Sequence, residues 1–290
     1  MFIGIDHGTT SIRFSTGESW FKITREEARS FCWQDLRTLC QIDEISGIAL
    51  TYSMGDGISS ITPIERVVDR GIRSRDGAGK HVGGGTRVFD QIRESGLPAI
   101  VIPGLHRDSP TDCRFKAYSH QASPEKIGIA YRVSCDLGGD VVVSDVSSNT
   151  VSLLIRDGRI AGGFDACIFA PGLEHGALDV DAIRSVDAGI STANEAFLRA
   201  GVNHTLPEQE RLSAVALFSA MECAALLVLN PGARIALAGS LGPRIAGEVS
   251  ALLGREVAVY DEWCASSGLA LIAREVFQGG SEILGISVDR

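Results

Sequence analysis

The sequence has no pair of closely spaced cysteines. Its seven cysteines are odd in number and scattered along 290 residues, at Cys32, Cys40, Cys113, Cys135, Cys167, Cys223 and Cys264. A structural zinc site needs clustered ligands, and no Cys-x-x-Cys pair provides them. We therefore expect reduced thiols, as in a cytosolic protein, and no structural zinc.

A long basic block is also missing. Lysine and arginine total 27 against 36 aspartate and glutamate residues, which gives a formal net charge of −9. An acidic surface repels phosphate backbones, so we do not expect nucleic-acid binding. The shares of apolar residues, 44%, and charged residues, 22%, are those of a folded globular protein.

Export and membrane signals are the third absence. The chain begins with the strand-like run Phe2-Ile3-Gly4-Ile5, without the basic region or cleavage site of a signal peptide. The most apolar stretch, residues 212–229, has the length of a membrane span but contains Ser213, Ser219 and Glu222. We therefore expect a buried core helix there, and a cytoplasmic protein with no membrane partner.

Each half of the chain opens with the same order of elements. Two strand patterns surround a polar loop at residues 2–15, and the arrangement recurs at residues 140–156. A chain of this length supports two domains, each with its own core. We predict two related α/β domains that face each other across a cleft, residues 1–134 and 135–278, and a C-terminal tail, residues 279–290.

Helix and strand signals fill the rest of both halves. Thr24 and Glu27 form a capping-box pair that predicts a helix over residues 25–40. Ser123 followed by Pro124 predicts the start of another helix. Further strands are predicted at residues 45–52, 99–102, 233–238 and 256–260, and further helices at 86–95, 192–200, 207–229, 243–253 and 263–277.

The first polar loop, Asp6-His7-Gly8-Thr9-Thr10, has the chemistry of a phosphate-binding turn. A phosphate that approaches a hairpin turn needs small residues, so that backbone N–H groups reach its oxygens. Gly8 provides that space, and Thr9 and Thr10 add hydroxyl donors. Asp6 would repel a phosphate directly and is better placed to hold a hydrated Mg²⁺. An ordinary polar hairpin is the alternative for this loop taken alone.

Three segments in the expected order resemble the motifs of the sugar kinase/Hsp70/actin superfamily. Asp6 to Thr10 resembles its first phosphate motif, and Asp145-Val-Ser-Ser-Asn-Thr150 has the place of the second. Ile235-Ala-Leu-Ala-Gly-Ser-Leu-Gly242 is similar to its adenosine motif. The helix that begins near Cys264 resembles the small-residue helix behind the cleft. The resemblance implies two duplicated RNase H-like domains, an actin-like ATPase or acetokinase-type fold, with Mg-ATP bound between them.

The resemblance also assigns roles to individual residues. It implies that Asp6 and Asp145 organise Mg²⁺ and water. The phosphates would contact Thr9, Thr10, Ser147, Ser148 and Asn149, and the adenosine would contact Gly239, Ser240 and Gly242. Arg13 is a candidate for an ion pair or a phosphate contact. The superfamily usually has glycines where this sequence has Ser147, Ser148 and Asn149, which predicts an altered phosphate geometry.

A narrower resemblance is carried by residues 114–126 and 162–180. Both segments are similar to methanogenesis marker protein 12, an uncharacterised archaeal family whose relatives include predicted butyrate kinases. The first segment contains Ser-Pro-Glu-Lys at residues 123–126, and the second contains Pro-Gly at residues 171 and 172. This resemblance implies a link to methane metabolism without naming a reaction.

Several functions remain open at this point. The chain is expected to be a kinase for a carboxylate or other small molecule, an ATPase that assembles or activates a methanogenic enzyme, or a nucleotide-binding scaffold. An iron–sulfur activator would require Cys135 and Cys167 at a dimer interface, and a dimer is one of the open oligomeric states. Asp56 is either a general base or a solvated turn residue. Basic residues near it would bind an anionic substrate or form a solvated loop: Arg66, Arg73, Arg75 and Lys80.

Overall fold

Two β-sheets form the two halves of the molecule in a computed structural model, which describes residues 1–74, 79 and 83–289. The first sheet has the strand order β3-β2-β1-β4-β6-β5. Strands β1 to β3 are antiparallel, β4 and β6 run parallel to β1, and β5 is antiparallel at the edge. The strands are β1 (Phe2–His7), β2 (Ser11–Ser15), β3 (Trp20–Thr24), β4 (Gly47–Leu50), β5 (Thr62–Pro63) and β6 (Ala99–Val101).

The second sheet repeats the five-stranded core of the first. After a short ribbon of β7 (Leu105–His106) and β8 (His120–Ala122), the chain forms strands in the order β11-β10-β9-β12-β13. Their antiparallel and parallel pairings match those of β3-β2-β1-β4-β6. The strands are β9 (Val141–Val146), β10 (Thr150–Arg156), β11 (Arg159–Phe164), β12 (Arg234–Ala238) and β13 (Val257–Val259). The predicted duplication is confirmed.

Eight α-helices lie among the described residues. They are α1 (Gly85–Glu94), α2 (Glu125–Leu137), α3 (Val180–Asp187), α4 (Ala193–Phe197), α5 (Val202–Thr205), α6 (Glu208–Leu227), α7 (Gly242–Leu253) and α8 (Cys264–Phe277). Inward-facing residues of α6 are buried, among them Val215, Cys223 and Leu226, as predicted for a core helix. None of the helices described has the length and apolarity that a bilayer span requires.

Helices α2 and α8 pack against each other between the two sheets. α8 contacts β1 and β4 of the first sheet, whereas α2 contacts β9 and β10 of the second. The contacts are close because glycines lie at them: a Cβ on Gly4 would lie 1.9 Å from the Ser266 carbonyl oxygen, and one on Gly268 would lie 1.9 Å from that of Gly128. The small-residue helix predicted from Cys264 onward therefore forms the layer behind the cleft.

The prediction of one continuous helix over residues 25–40 is wrong. The chain forms separate 3-10 turns, Glu27–Ser30 and Trp33–Thr38. The predicted capping pair does form, since the Thr24 N–H donates to the Glu27 carboxylate at 2.6 Å and the Glu27 N–H donates to Thr24 Oγ1 at 3.1 Å. Extended backbone at Cys32, whose N–H donates to Asp35, then starts a new turn. Side-chain bonds to the backbone compete here with a continuous helix.

The last residues form a hairpin rather than a featureless tail. Strands β14 (Glu282–Ile283) and β15 (Ile286–Ser287) pair, and Ile283 and Ile286 are buried. The Ile61 N–H donates to the Ser287 carbonyl oxygen at 2.9 Å, which places the hairpin beside the first sheet.

Candidate functional site

The two predicted loops line one crevice between the sheets. The turn after β1 and the turn after β9 both border a cavity of about 250 Å³. Charged, polar and glycine residues of both halves line it, among them Asp6, Gly8, Thr9, Thr10, Arg13, Glu125, Lys126, Asp145, Ser147, Ser148, Asn149 and Gly239. Ser240 lines the same cavity, whereas Gly242 is the buried first residue of α7 and does not. The duplicated hairpins therefore bring most of the predicted residues together.

The turn after β1 is held in shape by Arg13. The cross-strand pairing of β1 and β2 sets Asp6 opposite Arg13, and Nη1 of Arg13 lies 3.4 Å from Asp6 Oδ2. A Cβ on Gly8 would lie 2.8 Å from the same Nη1 and 3.0 Å from the Ser11 carbonyl oxygen, so a side chain here would require Arg13 to move. Arg13 also contacts Glu262 at 3.1 Å, just before α8. The ion pair predicted for Arg13 is therefore present, and it borders the crevice.

The turn after β9 presents hydroxyl and amide groups in place of glycines. The Ser147 N–H donates to the Asn149 carbonyl oxygen at 2.8 Å, so it is already used within the turn. The carbonyl oxygens of Ser147 and Ser148 accept bonds from residues 173–175. The side chains of Ser147, Ser148 and Asn149 and the remaining N–H groups are the donors left for an anion in the crevice.

Gly239 makes room for Asp145 at the floor of the crevice. Its φ is +83°, in the left-handed region, and an added Cβ would lie 2.3 Å from Asp145 Oδ1. The Leu241 N–H donates to the Val146 carbonyl oxygen at 3.0 Å and fixes the turn after β12 against β9. Glycine is needed here for its backbone conformation and for the contact.

Lys126, the last residue of the Ser-Pro-Glu-Lys segment, is a buried cation to which no role was assigned from the sequence. Its Nζ lies 2.6 Å from Asp145 Oδ2 and 2.9 Å from Glu125 Oε1, and the side chain is 6% exposed. Burial lowers the pKa of Lys126, but the charges of Asp145 and Glu125 outweigh it and raise the pKa above its ordinary value. For Glu125, burial raises the pKa and Lys126 lowers it, with a net decrease. The lysine is therefore charged, and it neutralises part of an acidic cluster.

Asp6 is buried with one oxygen unpaired. The residue is 3% exposed, and its Oδ1 has no hydrogen-bond partner among the described residues. Burial raises the pKa of Asp6 to about 6, despite the opposing charge of Arg13. A buried carboxylate oxygen without a donor is costly, so the position is suited to an added cation or its water.

The acidic groups fit a magnesium ion that keeps most of its water. Mg²⁺ is commonly held through one or two carboxylates together with substrate phosphates. Asp6 Oδ1 is available for this, whereas Asp145 Oδ2 is occupied by Lys126. Within the described ranges, no group of three histidine, cysteine, aspartate or glutamate side chains is placed to hold a metal without such help.

Other predicted residues lie away from the crevice. Asp56 is partly buried in the loop after β4, accepts the Arg73 N–H at 3.1 Å, and lines neither cavity described here. The side chain of Arg73 pairs with Asp108 at 3.1 Å on the exposed surface. Arg66 ends the 3-10 turn Ile64–Arg66 and has an interaction partner. Arg75 and Lys80 lie outside the described residues.

A second, larger chamber adjoins the crevice. It measures about 530 Å³ and shares Thr9, Glu125 and Asn149 with the crevice. His120, one of its lining residues, lies 2.9 Å from Asp165 through Nδ1 and 3.2 Å from the Met54 carbonyl oxygen through Nε2. Burial lowers the pKa of His120, but Asp165 and Met54 outweigh it and raise the pKa above its ordinary value. His120 and Asp165 lie in the two segments that carry the narrower resemblance, 114–126 and 162–180, but without metal-ligand spacing around His120 neither residue was assigned a role from the sequence.

Two features define the class of protein. The strands of both sheets follow the same order, and the crevice between the sheets has an aspartate on each of its two bordering turns. This is the actin-like ATPase fold shared by sugar kinases and acetokinase-type enzymes. A propionate kinase from Francisella tularensis is similar, with a TM-score of 0.57 at 9% identity, covering 94% of this chain and 98% of its own. A ROK family glucokinase from Streptomyces griseus, in complex with glucose and AMPPNP, gives 0.51 at 13% identity, covering 94% and 99%. At such identities the likeness shows the fold alone.

Sequence relatives then identify the family. No protein-family model matches the chain. A UPF0285 protein from Methanosarcina barkeri is 45% identical, with 99% of each chain covered. A UPF0285 protein from Methanocaldococcus jannaschii is 44% identical over 99% of this chain and 98% of its own. The chain belongs to the UPF0285 family.

Proposed function

We propose that this protein binds Mg-ATP in the crevice and transfers the γ-phosphoryl group to a small acceptor. The observation that carries the proposal is the convergence of both hairpin turns on one cavity, where Asp6 keeps an unpaired oxygen. A glucokinase of the same fold is described with AMPPNP, which supports a nucleotide as the ligand.

Each residue of the crevice has a role in this proposal. Thr9, Thr10, Ser147, Ser148 and Asn149 donate hydrogen bonds to the β- and γ-phosphates, and Lys126 offsets negative charge at the same place. Gly239 and Ser240 contact the adenosine. Asp6, with Asp145 nearby, holds the hydrated Mg²⁺, which when bound neutralises phosphate charge. Phosphoryl transfer depends mainly on such positioning and charge neutralisation.

The adjoining chamber favours transfer to an acceptor over hydrolysis alone. It opens onto the crevice through the shared residues Thr9, Glu125 and Asn149. An acceptor oxygen placed there attacks the γ-phosphorus, the bond from that phosphorus to the bridging oxygen breaks, and ADP leaves. Asp56 does not line the chamber, and this proposal gives it no role as a general base.

The biological setting is part of the proposal. The resemblance to methanogenesis marker protein 12 and the occurrence of relatives in Methanosarcina and Methanocaldococcus support a role in methane metabolism. A carboxylate kinase, as in the predicted butyrate kinases, is the activity we favour. We also retain two domains, 1–134 and 135–278, that close on the nucleotide, although the boundary falls within α2.

A thermal-shift titration with Mg-ATP, Mg-ADP and metal-free ATP tests nucleotide binding. A Kd near ~10 μM gives about 3 kcal/mol of stabilisation at millimolar ligand by mass action. We expect stabilisation that depends on Mg²⁺ and is lost in Asp6→Asn. No shift with any nucleotide would refute the proposal.

Turnover separates the kinase from its alternatives. A kinase consumes ATP faster when carboxylates are added and forms an acyl phosphate that hydroxylamine traps. Slow hydrolysis that no acceptor stimulates, together with a co-purifying protein, would favour an assembly or activation ATPase. Binding without any hydrolysis would favour a scaffold.

A further inference from the structure

One wall of the chamber beside the crevice has a cation with no ion-pair partner among the described residues. Its volume of about 530 Å³ is within the range of small-molecule sites, ~300–1,000 Å³. The two acids among its described lining residues are already paired: Glu125 contacts Lys126 at 2.9 Å, and Asp165 contacts His120 at 2.9 Å. Arg25 lines the chamber without an ion pair among the described residues, and the charge of Asp6 in the neighbouring crevice acts on it.

Arg25 lines the chamber with two unsatisfied donors. Its Nε and Nη1 are shut off from solvent and have no hydrogen-bond partner in the part of the chain that the structure describes. The guanidinium lies against the start of α1, where a Cβ on Gly85 would be 2.8 Å from Nη1. Buried guanidinium donors without an acceptor are costly, and a rotation of the Arg25 side chain toward an anionic ligand in the chamber would satisfy them.

The N-terminus of α1 opens onto the same space. Gly83, Gly85 and Thr86 line the chamber. No side chain caps this ten-residue helix, and no acidic residue lies in its first turn. The first N–H groups of a helix have no partner within the helix and attract anions. The helix and Arg25 are independent features, and both favour negative charge in the chamber.

His7 adds a hydrogen-bond acceptor at the boundary with the phosphate turn. Its Nε2 lies 3.2 Å from the Gly85 carbonyl oxygen, so Nε2 carries the proton in the neutral ring. Nδ1 then has a free lone pair, and it has no partner among the described residues. A hydroxyl or amine hydrogen on a ligand would satisfy it.

We propose that the chamber is a binding site for a small molecule with one anionic group, a carboxylate or a phosphate ester, held by Arg25 and the N-terminus of α1. The inference rests on the proposed function, for which it names the class of acceptor. Binding of the anion itself requires no nucleotide, so the two proposals are tested separately.

The test measures anion binding to the full chain by thermal shift, with sodium chloride at matched ionic strength as the blank. Glycolate, acetate and inorganic phosphate are the probes, each in its own titration. We expect stabilisation beyond the chloride blank at millimolar concentrations, and whichever probe acts identifies the carboxylate or the phosphate class. The absence of stabilisation by all three would overturn the site.

Two variants make the test specific. Arg25→Met removes the charge, and Thr86→Asp places an acid in the first turn of α1, where it favours the helix but repels an anion. Each should weaken probe binding by ~10-fold or more, whereas Arg184→Met, an exposed arginine paired with Asp181, should not. If Arg25→Met and Thr86→Asp bind the probe as tightly as Arg184→Met does, the assignment to Arg25 is overturned.

Nucleotide binding in the same variants distinguishes the two proposals. Arg25→Met should keep its stabilisation by Mg-ATP. If wild-type protein binds Mg-ATP but no anion, the chamber site fails and the proposed function stands. If anions bind and Mg-ATP does not, the proposed function fails and the anion site is retained only as a binding site.

Discussion

Lys126 joins Asp145 through a buried ion pair of 2.6 Å, and this contact ties the start of α2 to the end of β9. Glu125 shares the same ammonium at 2.9 Å. The crevice therefore contains an internal cation before any ligand enters. The arrangement places a positive charge where the two turns meet, which suits a polyphosphate.

Replacing Lys126 should destabilise the fold strongly. Lys126→Met leaves Asp145 and Glu125 buried without their cation, which we expect to cost ~3–5 kcal/mol in urea unfolding. Lys22→Met is the matched control, because Lys22 also contacts a glutamate but its side chain is 49% exposed, and it should cost less than about 1 kcal/mol. Adding Asp145→Asn to Lys126→Met should recover part of the loss. Equal effects at both lysines would contradict the buried ion pair.

Replacing Asp6 should stabilise the free protein while it removes metal-dependent binding. The pKa of Asp6 is raised from 3.8 to about 6, so the folded state disfavours the charged form and loses stability as pH rises through this interval. Asp6→Asn should gain up to ~3 kcal/mol at neutral pH, show a flatter pH profile, and lose Mg-ATP stabilisation. Asp181→Asn, at an exposed aspartate, is the control. A destabilised Asp6→Asn that still responds to Mg-ATP would argue against this role.

Gly239 should be intolerant of a side chain for two separable reasons. Gly239→Ala meets both the cost of positive φ and the contact with Asp145. Gly254→Ala has only the first, since its φ is +62° and no atom lies within 4 Å of the added Cβ. We expect Gly239→Ala to cost ~1–3 kcal/mol more than Gly254→Ala and to weaken nucleotide binding. Chemical denaturation of both variants measures the difference, and equal costs would show that neither Asp145 nor the Val146 carbonyl oxygen, 2.6 Å from the added Cβ, is crowded.

The His120–Asp165 pair predicts a pH dependence of stability. Because the folded-state pKa of His120 lies above its ordinary value of 6.5, the pair stabilises the protein fully below that pH. This contribution disappears as pH rises through the folded pKa. Above pH 6.5, the unfolding free energy of His120→Gln should change less with pH than that of the wild type. His204→Gln, at the exposed pair with Glu174, is the control, and an unchanged slope in His120→Gln would contradict the pair.

Local patterns in the sequence were enough to predict most of the fold. The strand, polar turn and strand around Asp6 recur around Asp145, and both hairpins have the predicted form because strand alternation and turn chemistry are local. The glycine turn at Gly239 was predicted from the resemblance of residues 235–242 to the adenosine motif. The helix over residues 25–40 failed because side-chain bonds to the backbone at Cys32 are not visible in a capping pattern alone.

The missing part of the site depends on tertiary packing. Lys126 follows Glu125 in a first helical turn, where charged residues are ordinarily solvated, and it is buried only because α8 and β9 cover it. Arg25 belongs to a short polar segment whose backbone approaches the start of α1 at Gly84, where a Cβ would lie 2.4 Å from the Arg25 carbonyl oxygen. The hydrophobic periodicity of a sequence cannot predict such residues, because segments distant along the chain form their surroundings.

A crystal structure of the protein with Mg²⁺ and a non-hydrolysable ATP analogue tests the central claim most directly. We predict that the β- and γ-phosphates lie between residues 8–10 and 147–149, with the ion and its water against Asp6. Nucleotide bound at another surface, with the crevice filled only by solvent, would contradict it.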